Sequence, residues 1–298
     1  MIAAAHEGAR PATGPGFTDA VTFAFGDAGT GLYGLARLGL SAAAEGVKAS
    51  ALAVLFAGHE PVAAQARGGL EVPPGTGWES LAVAGLSATV EAPLERWTVR
   101  LESTGADAGH GFELAFEALG PPAELEADDP VASAGGMIGY EQLCRVHGTV
   151  RVGNRVREVE CLGQRGHAWG EPDWERIDAT RSVAAWLGNG SGLALTAIRP
   201  ADAGDHAAEP VWAALLDPGG AVAVQEPRLS TTFDGDGRQR RAGLELWVDG
   251  DEYPRRGAGE VLCGSTLDLG QLRLDCAFFT WRLQGREGVG RYDILRRA

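Results

Sequence analysis

Side chains able to do chemistry are concentrated in one run, Cys161-Leu-Gly-Gln-Arg-Gly-His167-Ala-Trp169-Gly170-Glu171-Pro-Asp173-Trp174. It crowds an imidazole, two carboxyls and two indoles onto the end of a strand and the loop after it. Ionisable groups held among aromatic faces lose water, which moves a pKa toward working pH. His167 could relay a proton, and Asp173 or Glu171, kept neutral by apolar surroundings, could donate one. Trp169 and Trp174 would then face developing positive charge. His167 and Trp169 are two residues apart, so an extended backbone puts them on one face. Gly170 and Pro172 then turn the chain, bringing Asp173 and Trp174 back over that face. A structural reading of the same residues has the indoles closing the mouth of a β-barrel, with His167 and Asp173 tying down the loop.

A second polar run, Tyr140-Glu141-Gln142, follows Gly135-Gly-Met-Ile-Gly139. On a strand Tyr140 and Gln142 share one face, and Glu141 takes the other. Inside a barrel these residues would be polar groups over a ligand, with Glu141 a further acid. On an outer face they would be solvated. Other signatures fail. There is no G-x-S-x-G and no H-E-x-x-H, and Phe233-Asp-Gly-Asp-Gly237 lacks the ligand spacing of a calcium loop. The four cysteines form no C-x-x-C pair, and they read as reduced, mostly buried thiols. Gly29-Thr-Gly31-Leu-Tyr-Gly34 has dinucleotide-loop spacing, but it does not directly follow a strand and no βαβ alternation continues after it. No metal and no cofactor are expected.

The elements that must position these residues are strands. Glycine (44) and proline (15) punctuate the chain between short runs of alternating polarity, such as Lys48 to Phe56, Arg96 to Glu102 and Leu272 to Leu283. Gly153-Asn154, Gly188 to Gly192 and Asp217 to Gly220 read as hairpin turns. Gly120 to Pro130, rich in proline and acids, predicts a linker, with a split into domains 1–130 and 131–298. Met1 to Gly16 has no signal-peptide pattern and reads as a loose tail. A net charge of −14 argues against nucleic acid and against a polybasic membrane surface, and no apolar run is long enough to insert in a membrane. A cytoplasmic protein is expected.

Gly139-Tyr-Glu-Gln142, Val146-His-Gly148 and Gly163-Gln-Arg-Gly-His167-Ala-Trp169-Gly170-Glu-Pro-Asp173-Trp174 resemble the tandem lipocalin-like family. That family includes bacterial AttH-type proteins and carotenoid hydratases (hydroxyneurosporene synthases). Phe278-Phe279-x-Trp281 and Gly288-Val-Gly290-x-Tyr292 are similar to its C-terminus. The resemblance implies an all-β fold of two antiparallel lipocalin-like barrels packed together, with an apolar pocket. Related two-domain folds include plant-phenolic hydratases and cyclases that close polyketide rings by cycloaddition. The family run usually reads Arg-Asp-His-Ser-Trp-Gly-x-Arg-Asp-Trp. Here Gly166, Ala168 and Pro172 replace Asp, Ser and Arg, which takes away the natural group to orient and charge the imidazole.

The expectation is therefore a cofactor-independent enzyme acting on a hydrophobic terpenoid-, carotenoid- or polyketide-like substrate. Its chemistry would be alkene protonation and hydration, or cyclisation by holding a reactive conformer. His167, Asp173, Glu171 and Glu141 would be catalytic, and Tyr140, Gln142, Trp169 and Trp174 would bind substrate. The alternative is a carrier or sensor of a hydrophobic small molecule, without chemistry.

Overall fold

The computed structural model describes residues 2–44, 46–204 and 208–298. Alternation of polarity becomes strand as expected, with 66% of the chain in strands and 5% in helix. The first sheet comprises β1 (Thr18–Asp27), β2 (Leu32–Ala43), β3 (Gly46–Ala57), β4 (Glu60–Val72), β5 (Ala82–Val83), β6 (Leu86–Ala92), β7 (Arg96–Glu102), β8 (Gly111–Ala118), β9 (Ala123–Leu125), β10 (Met137–Val152) and β11 (Arg155–Gly170). The second comprises β12 (Ile177–Leu187), β13 (Gly192–Pro200), β14 (Val211–Asp217), β15 (Gly220–Ala223), β16 (Glu226–Phe233), β17 (Gln239–Trp247), β18 (Arg255–Asp268), β19 (Leu272–Leu283) and β20 (Arg286–Arg297). Both sheets are antiparallel meanders, and in each the first strand pairs with the last, β1 with β11 and β12 with β20. They form packed lipocalin-like barrels, one of them nearly closed.

The three expected hairpins are present, joining β10 to β11, β12 to β13 and β14 to β15. The glycines from Gly29 to Gly34 serve the β1–β2 hairpin. The stretch from Gly120 to Pro130 does not separate the sheets. It holds β9, which pairs with β10, and it leads into α1 (Pro130–Gly135). The Asp129 side chain caps α1 by accepting from the Val131 amide, and Pro130 fits the first turn, where an amide donor is dispensable. The sheets part between Gly170 and Ile177, so β10 and β11 complete the first barrel.

Alternation divides most of the apolar residues among three large cores. Val21, Phe23, Phe25, Trp97, Leu114 and Val146 help fill the first barrel. Val183, Leu195, Leu246, Phe279 and Tyr292 help fill the second. Opposite faces of the same strands, including Tyr33, Val54, Phe56, Trp186 and Phe278, meet between the barrels. The N-terminal segment is no loose tail. Glu7 is 2% exposed, Phe17 packs with Tyr140 and Trp169, and the segment plugs one end of the first barrel.

Candidate active site

β11 places Arg165, His167 and Trp169 on the inner face of the first barrel, and β10 places Tyr140 opposite His167 and Gln142 opposite Arg165. The two strands lie close at this point. A Cβ on Gly139 would meet the His167 carbonyl oxygen at 2.3 Å, so glycine is required there. The His167 and Trp169 ring centroids are 5.0 Å apart, and the rings of Tyr140 and Trp78 each lie 5.8 Å from the imidazole. Tyr140, His167 and Trp169 therefore come together as alternation predicted, whereas Gln142 donates its side-chain amide to the Leu94 and Gly120 carbonyls, away from the imidazole.

The acid beside the imidazole is Asp19, on the inner face of β1. His167 Nε2 lies 2.6 Å from Asp19 Oδ1, and Asp19 Oδ2 accepts the Arg10 amide at 2.6 Å. Both side chains are 1% exposed. A carboxylate only accepts, so Nε2 carries the hydrogen and Nδ1 is left for another partner. Nδ1 is buried without a hydrogen bond among the described residues. The expectation that Gly166 leaves the imidazole without an orienting acid is thus corrected. Position 166 points to the other face, where a Cβ would meet Glu141 Oε1 at 2.5 Å.

Next to this pair lies a second buried cluster. Arg165 Nη1 donates to Glu7 Oε1 at 2.9 Å and lies 3.3 Å from the Tyr140 hydroxyl. Tyr140 and the Trp97 indole also donate to the Glu7 carboxylate. Burial opposes ionisation of Glu7, but the Arg165 charge and the bonds from Tyr140, Trp97 and Arg165 outweigh it and hold the carboxyl below its ordinary pKa. Burial pushes the Tyr140 hydroxyl up, so it remains a donor.

The other expected residues lie elsewhere. Glu141 faces the second barrel, where it accepts from Gln164 Nε2 at 2.7 Å and lies 3.9 Å from Arg291 Nη2. Burial raises its pKa against the pull of Arg291. Gly170 ends β11 with φ of 150°, and the chain runs outward. Glu171 is exposed and accepts from Thr13. Asp173 is exposed and accepts the Glu175 amide, shaping the turn into β12. Trp174 packs on Val131, Ile177 and Ile198. The structure does not bring Asp173, Glu171 or Trp174 to His167. Burial of the Cys161 thiol pushes its pKa up to about 12, unlike a reactive thiol.

Asp19 also lines a cavity of about 540 Å³ between the N-terminal segment, β2 and the loop 74–79. A larger groove, about 910 Å³, opens between the barrels beside Trp186 and Trp281. Neither cavity is lined by His167 or Tyr140, and only the smaller one reaches the buried pair, through Asp19. Among the described residues, no three His, Cys, Asp or Glu side chains gather as a metal site.

This architecture is that of the lipocalin-like AttH-type proteins. An AttH protein from Nitrosomonas europaea, described in its structure as putative, superposes with a TM-score of 0.68 at 13% identity, over 95% of this chain and 92% of that one. Kievitone hydratase from Nectria haematococca gives 0.61 at 10% identity, over 100% and 93%. CghA gives 0.59 at 13% identity, over 95% and 89%. No curated protein matches by sequence at a significant level. The chain belongs to the family described as Domain of unknown function (DUF7064), matched over residues 3–298.

Proposed function

We propose that this protein is a cofactor-independent enzyme that transfers a proton to or from a largely apolar small molecule at the mouth of the first barrel. The observation that carries this reading is the buried Asp19–His167 pair with Nδ1 unengaged among aromatic rings. Asp19 fixes the ring and stabilises the imidazolium that forms when Nδ1 takes a proton, the role a carboxylate plays beside any catalytic imidazole. For hydration, the protonated ring gives the Nδ1 proton to an alkene carbon, water attacks the resulting cation, and the proton lost from that water returns to Nδ1. Trp78, Tyr140 and Trp169 stand around the imidazole, and their ring faces are the surfaces that stabilise such a charge. For ring closure with no net proton change, the same walls act by holding one conformer. The likeness to kievitone hydratase supports the hydratase or cyclase class. Substrate reaches Nδ1 when the N-terminal segment lifts, because His167 is otherwise sealed.

The test is incubation with linear polyene ketones and acyclic terpenoid alkenes, followed by mass spectrometry. Hydration adds the mass of one water, whereas cyclisation shifts retention at constant mass. A hydrated or proton-shifted product should fall about 100-fold or more in His167→Gln and Asp19→Asn, the range of general acid–base contributions. Wild-type protein that retains a ligand unchanged would support the carrier reading. Equal turnover by His167→Gln would sink the assignment.

A further inference from the structure

Arg165 is equipped for more than the contacts it makes. Its side chain is 2% exposed, and its guanidinium lies 5.8 Å from the Trp97 ring centroid and 5.6 Å from that of Tyr140. Nη1 reaches Glu7 and Tyr140, whereas Nε and Nη2 are buried without a hydrogen bond among the described residues. A guanidinium is a fork that matches a carboxylate through two parallel N–H donors, and Glu7 engages only one. Donors of Tyr140 and Trp97 converge on the same carboxylate.

Glu7 itself belongs to no strand. Its segment is held by a three-residue helical turn, Ala4–His6, by the Arg10 amide on Asp19 and by Thr13 on Glu171. Lifting the part ahead of Gly16 unpairs no sheet strand; uncovering Tyr140 and Trp169, on which Phe17 packs, breaks in addition the bond from the Ala42 amide of β2 to the Phe17 carbonyl. We propose that Arg165, Tyr140 and Trp97 form a receptor for the carboxylate, or an equivalent planar monoanion, of an apolar acid, and that Glu7 occupies it as an internal competitor. One cation with two neutral donors suits a single negative charge. The apolar remainder of the ligand would lie along the aromatic wall beside His167. The inference deepens the substrate class proposed above and rests on the first barrel being the binding barrel, but it requires no chemistry at His167.

Tryptophan fluorescence titrations with decanoate and with decanol separate the possibilities, because Trp97 touches the receptor. Glu7→Ala should bind decanoate about tenfold or more tightly than wild type, the scale of one charge-assisted hydrogen bond. Decanol affinity should not change, and Arg165→Met added to Glu7→Ala should abolish the gain. Glu7→Gln, which keeps the shape of the side chain, should show the same preference. If Glu7→Ala melts below wild type, added acetate should restore part of the loss and propanol should not. Equal decanoate affinity in wild type and both variants, an equal gain for decanol, or a gain that survives without Arg165 would overturn the proposal. These titrations read binding alone. A gain retained in Glu7→Ala/His167→Gln, beside unaltered turnover in His167→Gln, would show the receptor standing while the catalytic reading falls.

Discussion

Each barrel buries an arginine, a glutamate from an irregular segment and a tyrosine, yet the two trios are finished differently. In the second barrel Arg181 Nε donates to Glu209 Oε1 at 2.8 Å, Nη2 pairs with the other oxygen, and Nη1 reaches Thr231 Oγ1 at 3.1 Å. Thr231 in turn lies 2.6 Å from the Tyr292 hydroxyl. Each guanidinium nitrogen is engaged. In the first barrel Arg165 leaves two nitrogens unengaged, and an Asp–His pair stands beside it. No histidine stands among the described residues of the second barrel. A fully satisfied buried network specifies a fold, whereas a partly satisfied one carries an energetic cost that function can explain. The second trio is complete within the fold, whereas the first keeps donors to spare, as the proposed site requires.

Truncating the two arginines sharpens that contrast most. Arg181→Met removes the bidentate partner of the buried Glu209 carboxylate, so a loss of about 3–5 kcal/mol is expected. Arg165→Met should cost less, about 1–3 kcal/mol, because Glu7 keeps its bonds from Tyr140 and Trp97 and its segment can swing into solvent. Calorimetric melting of both variants checks the order, and a larger loss for Arg165→Met would break the comparison. A smaller effect is expected from Gly166→Asp, which puts back the acid of the family run. The new carboxylate would crowd Glu141 and cost about 1–3 kcal/mol through like-charge repulsion and desolvation, with no gain in turnover. Enhanced activity in that variant would show that position 166 does communicate with His167.

The smallest effect is one of pH, and it sets the barrel cluster against the interface between the barrels. Glu7 titrates below its ordinary value of 4.5, so its contribution is complete above that value and is lost as pH falls through the folded pKa. Glu141 and Asp293 are raised by burial above their ordinary values of 4.5 and 3.8, against the pull of Arg291. Their ionisation penalty is present above the folded values and is relieved as pH falls through them. Melting temperature followed downward from about pH 7 should therefore decline less steeply in Glu7→Gln than in wild type. Glu141→Gln should gain stability at neutral pH and little in acid. Slopes unchanged in both variants would show that neither carboxyl governs the acid response.

Period-two patterning made most of the fold legible, because a strand with one face in a core records that face locally. Tyr140, His167 and Trp169 were brought together by the same logic. Asp19 left one local trace, an acid in phase with Val21, Phe23 and Phe25 on the buried face of β1. Its pairing with a residue 148 positions away follows from β1 meeting β11, which no local pattern records. Glu7 lies in a segment with no strand periodicity, so its burial left no trace. Asp173 and Glu171 were misplaced because Gly170 sends the chain out toward the second sheet, not back over His167.

Joining the first strand of each barrel to its last also sets an order of events during synthesis. β1 has one neighbour, β2, until β11 has been made, so the first barrel stays open along an apolar edge until Gly170 has cleared the ribosome. Contacts of such sequence separation are slow to form, and exposed edges invite pairing with other chains meanwhile. A fragment ending at Val131 would keep both β1 and β8 unpaired on one side, and it should aggregate, whereas one ending between Gly170 and Ile177 carries every strand its barrel needs.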